Sequence, residues 1–419
     1  MIKRIKIDGY KSFRSLDLQL RPLTVIFGPN ASGKSNFLDA LYLLSRAVTA
    51  KNLNEAFKEH RGLPLESFYY GDEGYENLLK RSNPQLSFEV DVEISHRVQD
   101  NVETLIRAKR KGNGTGNPDK HIITEKLLRY RLTMEISGKT GHLRVTDERL
   151  CAVKSNGEEK NRKPFLEREG DRLHLRMEGQ AHPTFHPAGL DHTFVSTALY
   201  EPHYPHVTAF RMELSDWHTY YLEPRQLMRE EWPLADIESP GPRGENLAPF
   251  LNTLKHKHGK DYENFNLTLK TILPSAAGIE IRQTKEGRVG LCLYENDFWF
   301  SSRLISEGTL RLIGLLCSIH PRNPATMVAF EEPENGVHPV RLKIISALLK
   351  NASMQYEKQI IVTTHSPVLS GYFDADDLFV CRKEENRTTI RPLSETSLLR
   401  GQLVERGLED RILRGEFGG

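Results

Sequence analysis

Cysteine is scarce in this chain of 419 residues: the four, Cys151, Cys292, Cys317 and Cys381, lie far apart and form no C-x-x-C pair. That excludes a disulfide framework or a zinc hook and predicts reduced thiols. Long apolar runs are missing too, the longest falling well short of the roughly 20 residues a membrane span requires. The opening "MIKRIKIDGYKSF" alternates apolar with basic residues, which is not the continuous apolar core of a signal peptide. A cytoplasmic chain with no membrane partner is therefore expected. Charge of one sign is not in excess, because 58 basic residues face 56 acidic ones, so any nucleic-acid contact must come from local patches. No heptad repeat runs through the chain, and long coiled-coil arms are excluded. A hydrophobic fraction of 38% beside 27% charged residues is ordinary for a globular protein and argues against long disorder. The length suggests about two or three domains.

Among what is present, "LTVIFGPNASGKSNFLDALYLLSRAV" (23–48) is the most specific stretch. An apolar strand breaks at Gly28, and Gly28-Pro29-Asn30-Ala31-Ser32-Gly33-Lys34-Ser35 fits the G-x-x-x-x-G-K-S pattern. Asn36 follows, and Phe37, Leu38, Leu41, Leu44 and Val48 have helical spacing. In such a loop the glycines let backbone N–H groups curl around phosphate oxygens while the helix N-terminus adds a favourable dipole. Lys34 would reach the β and γ phosphates of a nucleotide, and the Ser35 hydroxyl would bind magnesium.

Three further segments carry chemistry. In "TMVAFEEPENGVHP" (326–339) an apolar strand runs into Glu331 and Glu332. In a P-loop fold a second parallel strand ends beside the phosphate loop, with one acid on magnesium and the next orienting the attacking water; Glu331 and Glu332 suit those roles in that order. The plainer alternative is an acidic helix start. "FWFSSRLISEGTLRLIGLLCSIH" places Ser306, Gly308 and Thr309 at the start of an amphipathic helix with Leu310, Ile313 and Cys317 on one face, a place where N–H groups meet anions. "KQIIVTTHSPVLSGYF" gives a β-rich strand ending at His365, either a loop histidine or a sensor of a γ-phosphate.

Together and in this order, the P-loop, Ser306-Glu-Gly308-Thr309, Glu331-Glu332 and His365 resemble the ABC-type ATPases of the SMC, RecF and OLD (overcoming-lysogenization-defect) group. "IKRIKIDGYKSFRSLDLQL" looks like the opening β-hairpin of that family, and "EEPENGVHP" like its Walker B strand and following loop. The likeness covers roughly residues 1–50 and 300–380. It implies an α/β fold: a P-loop ABC-type ATPase head with an inserted β-rich lobe and a helical segment. The implied layout is 1–80 and 301–419 for the head, 81–215 for the lobe and 216–300 for helices and a hairpin leading back. It further implies ATP and Mg2+ as cofactors, with Lys34 and Ser35 of one copy facing Ser306 and Gly308 of another in a homodimer or higher oligomer. Lys11, Ser12, Phe13 and Arg14 would lie near base or ribose by this likeness, or form a hairpin turn with solvated charges. Many relatives have aspartate where Glu331 stands, and the extra methylene predicts slow turnover.

The middle of the chain reads as half-buried antiparallel strands, from the alternation in "LSFEVDVEI" (86–94), "YRLTMEI" (130–136) and "RLHLRM" (172–177). Two amphipathic helices are expected over 247–274, then a hairpin. "RAKRKGNGTGNPDKH" (107–121) reads as a loop, either solvated or lying on double-stranded DNA through Arg107, Lys109, Arg110, Lys111 and Lys120. His182, His186, His192, His203 and His206 fall in a proline-rich stretch read as loops without a complete metal-ligand set. The 54 residues after His365 read as a strand pair and a helix, with no room for the Toprim nuclease of OLD proteins. A switch acting on a separate Toprim-like nuclease or toxin in anti-phage defence is thus the first functional expectation. A RecF-like DNA-binding repair ATPase is the second, and ATP as the structural ligand of an oligomeric scaffold the third.

Overall fold

The computed structural model describes residues 1–71, 74–110, 121–178 and 184–395. These form two compact units: Met1–Arg21 with Ala31–Trp217 and Cys381–Arg391, and Pro22–Asn30 with His218–Val380 and residues 392–395. The chain passes from the second unit to the first inside the phosphate loop, between Asn30 and Ala31.

The first unit is built on an eight-stranded antiparallel sheet in the order Phe13–Gln19, Ile2–Tyr10, Gln85–Glu93, Leu127–Ile136, Leu143–Ala152, Leu166–Glu169, Arg172–Leu175, Thr184–Pro187. Alternation decides its faces, with Phe88, Val90, Tyr130 and Leu132 all fully buried. The strands foreseen over 81–215 do not make a sheet of their own. Val90 pairs with Ile5 and Phe88 with Ile7, so they extend the opening hairpin, because its inner edge still had ladder groups to satisfy. The helix Lys34–Thr49 buries Phe37, Leu38, Leu41, Leu44 and Val48 as its spacing required, and Ser45 donates from it to the Leu214 carbonyl at 2.7 Å, in the helix Pro205–Ser215.

Two loop expectations fail here. Arg107, Lys109 and Arg110 belong to the helix His96–Arg110; Arg107 pairs with Glu103 one turn back at 3.1 Å and Lys109 with Glu201 at 2.5 Å, a support that charge patterning alone did not reveal. Lys111 and Lys120 lie outside the described residues. In the histidine stretch, His186 stands on the strand Thr184–Pro187 and His206 in the helix Pro205–Ser215, where proline occupies a strand end and a first helical turn, both of which it tolerates. His206 is spent on structure: its Nδ1 lies 2.6 Å from Glu178 and its Nε2 accepts the backbone N–H groups of Thr124 and Glu125. His182 is not among the described residues.

The second unit has a parallel core. Met327–Glu331, Gln359–Thr364, Leu23–Phe27 and Leu378–Glu384 lie side by side in that order. The central two are buried at every residue, as strands covered on both faces must be. Around them stand the helices Leu247–Lys257 and Gly259–Ile272, both foreseen, with Glu307–Ile319 and Leu342–Gln355. A second sheet pairs Arg288–Glu295 with Ala276–Gln283, Trp232–Pro233 and Phe298–Ser301. The helix Glu307–Ile319 is not amphipathic as expected: Leu310, Leu312, Ile313, Leu315 and Cys317 are all buried, since it runs through the core. The tail strands appear as Leu378–Glu384 and Arg387–Pro392; the tail helix lies outside the described residues. No helix among these residues is long and apolar enough to cross a membrane.

His60 allows a test of the first unit. It is buried, with Nε2 2.6 Å from the Tyr10 hydroxyl and Nδ1 3.3 Å from that of Ser67. Burial, helped by Lys11 and Arg61, pushes its imidazole down to about 3. The unfolded chain takes up this proton near pH 6.5 and the folded one does not, so stability falls as pH drops below about 6.5. By pH 5 the loss from this residue is about 2 kcal/mol. Urea unfolding at pH 7 and pH 5 should show it, and His60→Gln should flatten the dependence; an unchanged slope in the variant contradicts the assignment.

Candidate nucleotide site

The register of the parallel strands decides which turns meet. Glu331 is opposite Thr363, Thr363 opposite Ile26, and Thr364 opposite Phe27. All three strands therefore end at one edge, and Gly28, Glu332 and His365 leave it together. Two backbone bonds tie these exits: Gly28 N–H donates to the Thr364 carbonyl at 3.3 Å and Glu332 N–H to that of Thr363 at 2.9 Å. Glu331 ends its strand half-buried. Glu332 adopts φ +48°, a left-handed conformation costly for a residue with a side chain.

Around Glu332 the polar groups are specific. Its Oε1 is 3.0 Å from His365 Nδ1, and its Oε2 accepts Asn335 Nδ2 at 2.8 Å. The carboxylate therefore faces the Nδ1 side of the His365 ring. Glu334, whose side chain is 5% exposed, lies 3.8 Å from the same Nδ1. Its Oε1 accepts the Thr364 hydroxyl, while its Oε2 is buried with no partner. Burial outweighs that bond and raises the Glu334 carboxyl above its ordinary range.

The phosphate loop continues into the first unit. Ala31 and Gly33 have φ of +61° and +103°, and a Cβ on Gly33 would collide with the Thr388 side chain, so this glycine is required twice over. The Thr388 hydroxyl lies 2.8 Å from the Ser32 carbonyl and 2.7 Å from Ser12 Oγ, which also accepts Asn36 Nδ2 at 2.7 Å. Lys11, at φ +43°, pairs with Asp39 at 2.7 Å. In the hairpin turn, Arg14 is exposed as a solvated charge would be, while Lys11 and Ser12 brace the loop and its helix. Lys34 is 5% exposed, and the Ser32 hydroxyl is buried with no protein partner. An orphaned donor in a loop of left-handed glycine geometry fits a phosphate oxygen. Ser35 and Glu331 offer the hydroxyl and carboxylate oxygens magnesium prefers.

Ser306 caps the helix Glu307–Ile319, accepting the Thr309 N–H at 3.2 Å and donating to the Thr309 hydroxyl at 2.9 Å. A Cβ on Gly308 would stand 2.6 Å from the Gly336 carbonyl, so the loop after Glu334 packs on this helix start. Ser306, Gly308, Gly336, His338 and Arg341 line a cleft of about 530 Å³.

Four groups escaped the sequence reading. Glu334 and Asn335 were visible in "EEPEN" but carried no separate signal. Thr364 stood beside His365 in a run of buried strand residues. Thr388 gave no hint, since its bond to Ser32 closes 356 residues.

Two family models match successive parts of the chain: residues 1–181 match an "AAA ATPase domain", and residues 184–371 an "AAA domain, putative AbiEii toxin, Type IV TA system". The DNA replication and repair protein RecF of Phocaeicola vulgatus is 35% identical over 78 residues, 18% of this chain and 21% of that protein. RecF of Bacillus mycoides is 30% identical over 95 residues, 22% and 23% of the two chains. The chain thus spans less than a quarter of the length of these relatives. Among solved structures, an SMC head bound to the C-terminal winged-helix domain of ScpA matches with a TM-score of 0.51 at 13% identity, over 93% of this chain and 97% of that one; the fold is shared.

Gly33→Ala tests the loop geometry. The left-handed backbone alone costs about 1–3 kcal/mol, and the collision with Thr388 adds to it. A lowered melting temperature and loss of binding to a fluorescent ATP analogue are expected; wild-type melting and binding contradict the geometry.

Proposed function

We propose that the chain, which matches ATPase family models over 1–181 and 184–371, is an ABC-type ATPase of the SMC/RecF-like kind that binds and slowly hydrolyses ATP with magnesium, closes as a dimer on nucleotide, and switches a separate effector. The observation that carries this reading is the shared sheet edge at which Gly28, Glu331, Glu332 and His365 leave their strands. Gly28–Asn30 and Ala31–Asn36 wrap phosphates through backbone N–H groups, and Lys34 neutralises them. Ser35 and Glu331 hold magnesium, which when bound offsets charge on the β and γ oxygens. Glu332 orients the attacking water, held by Asn335 and His365. With Nδ1 on Glu332, His365 has Nε2 left for a γ-phosphate oxygen. Ser306, Gly308 and Thr309 act on the nucleotide of a second copy, through the cleft beside Gly336. The longer side chain of Glu331 keeps turnover slow.

The effector is proposed to be a nuclease or toxin in defence against phage. The "putative AbiEii toxin, Type IV TA system" description of the matching family model supports such a pairing. RecF-like binding to double-stranded DNA is the second reading, favoured by the two RecF matches. The pairing of Arg107 with Glu103 and of Lys109 with Glu201 speaks against those cations waiting for phosphates.

Steady-state ATP turnover with and without duplex DNA, beside size measurements with ATP, decides among these. Slow turnover is expected, with Glu332→Gln lowering it about 100-fold or more while preserving ATP-driven association. Stimulation by DNA favours the repair reading. Absent turnover with intact association leaves ATP as a structural ligand of a scaffold and overturns the switch.

A further inference from the structure

The buried acid Glu334 takes no part in the roles above, yet it is the most enclosed carboxyl at this sheet edge. Its Oε1 accepts the hydroxyl of Thr364, and that same hydroxyl oxygen accepts the Ser366 N–H at 2.9 Å. The two bonds bracket His365, which lies between Thr364 and Ser366 and is 40% exposed. Ser366 in turn caps the short helix Pro367–Ser370, accepting the Leu369 N–H. The result is a chain of contacts from Glu334 through Thr364 to the backbone of the histidine turn, and from His365 Nδ1 back to Glu332 at 3.0 Å. Glu332 itself sits in a left-handed conformation just before Pro333, so its side-chain direction depends on groups that hold it from outside.

We propose that Glu334 is a positioning residue: through Thr364 it locks the turn that carries His365, and so fixes the Glu332 carboxylate against which the imidazole rests. This deepens the ATPase reading and rests on it for its catalytic consequence. A carboxyl buried with one unpartnered oxygen is otherwise unfavourable, and an apolar residue of similar size would pack there without that cost. The geometry assigns it a use that leucine would not serve. Glutamine would, since its carbonyl accepts the Thr364 hydroxyl equally well.

The experiment pairs Glu334→Gln with Glu334→Leu, and Thr364→Ser with Thr364→Val, each measured in two ways. In the nucleotide-free full chain, 15N-histidine spectra report the ring nitrogens of His365, assigned by its loss in His365→Asn. Wild type, Glu334→Gln and Thr364→Ser should show one dominant ring state, set by the Glu332 carboxylate 3.0 Å from Nδ1. Glu334→Leu and Thr364→Val should show averaging of the two tautomers. In turnover, the Leu and Val variants should lose about 10–100-fold in kcat with ATP affinity within about twofold of wild type, and the Gln and Ser variants should keep most of it. Equal behaviour of Gln and Leu in both readouts overturns the proposal, as does a parallel loss of melting temperature, ATP affinity and kcat in every variant. If wild type does not turn over, the ATPase reading fails, while the histidine spectra still decide whether Glu334 holds the turn.

Discussion

The residue-by-residue register of three parallel strands is the constraint on which the candidate site depends. Leu23–Phe27 comes from near one end of the chain, and Met327–Glu331 and Gln359–Thr364 from near the other. Hydrogen bonding places Ile26, Thr363 and Glu331 abreast, so the turns that follow open on the same side. A shift of one residue would exchange the side chains that meet each covering layer. With both faces of the central strands covered, such a slip would mismatch the packing on both sides and move the three exits out of line. The hydrophobic core therefore sets the positions of the polar groups at its edge, and ligand sites at the carboxyl ends of parallel strands follow from that geometry.

At that edge, polar groups are kept by enclosure as much as by contact. Glu334 is held in a setting where burial disfavours its charge, and Arg311, on the helix that Ser306 caps, is pushed down by burial with its Nε unpartnered. In the first unit the same logic acts through hydroxyls: Thr388 and Ser12 hold the loop at Ser32 and the helix at Asn36 without any charge. Glycine at position 33 is the counterpart, leaving room for Thr388 to approach.

Several elements were legible because local pattern and global fold agree. The G-x-x-x-x-G-K-S loop lies between a five-residue apolar strand and a helix whose spacing matches its buried face. Alternation located Gln85–Glu93 and Leu127–Ile136 within a few residues. Where the reading faltered, a tertiary partner had changed the outcome. The glycine-rich basic stretch begins as helix because it continues a helix that buries Val98, Val102 and Ile106, and Glu103 and Glu201 engage its first cations. The Ser306 helix looked amphipathic in isolation, but both of its sides are covered.

The sequence by itself determined the residue types of the candidate site and the order of its parts: a G-x-x-x-x-G-K-S loop, a Ser-Glu-Gly-Thr helix start, an acid pair and a histidine after a strand. These are local, because caps, loops and strand periods involve residues a few positions apart. Only the tertiary structure decided that the strands of the middle segment join the opening hairpin, that Thr388 braces Ser32 across 356 residues, and that Glu334 reaches the histidine turn through Thr364. Such pairings depend on sheet register and on which face each core buries, and no periodicity within one segment records its partner in another.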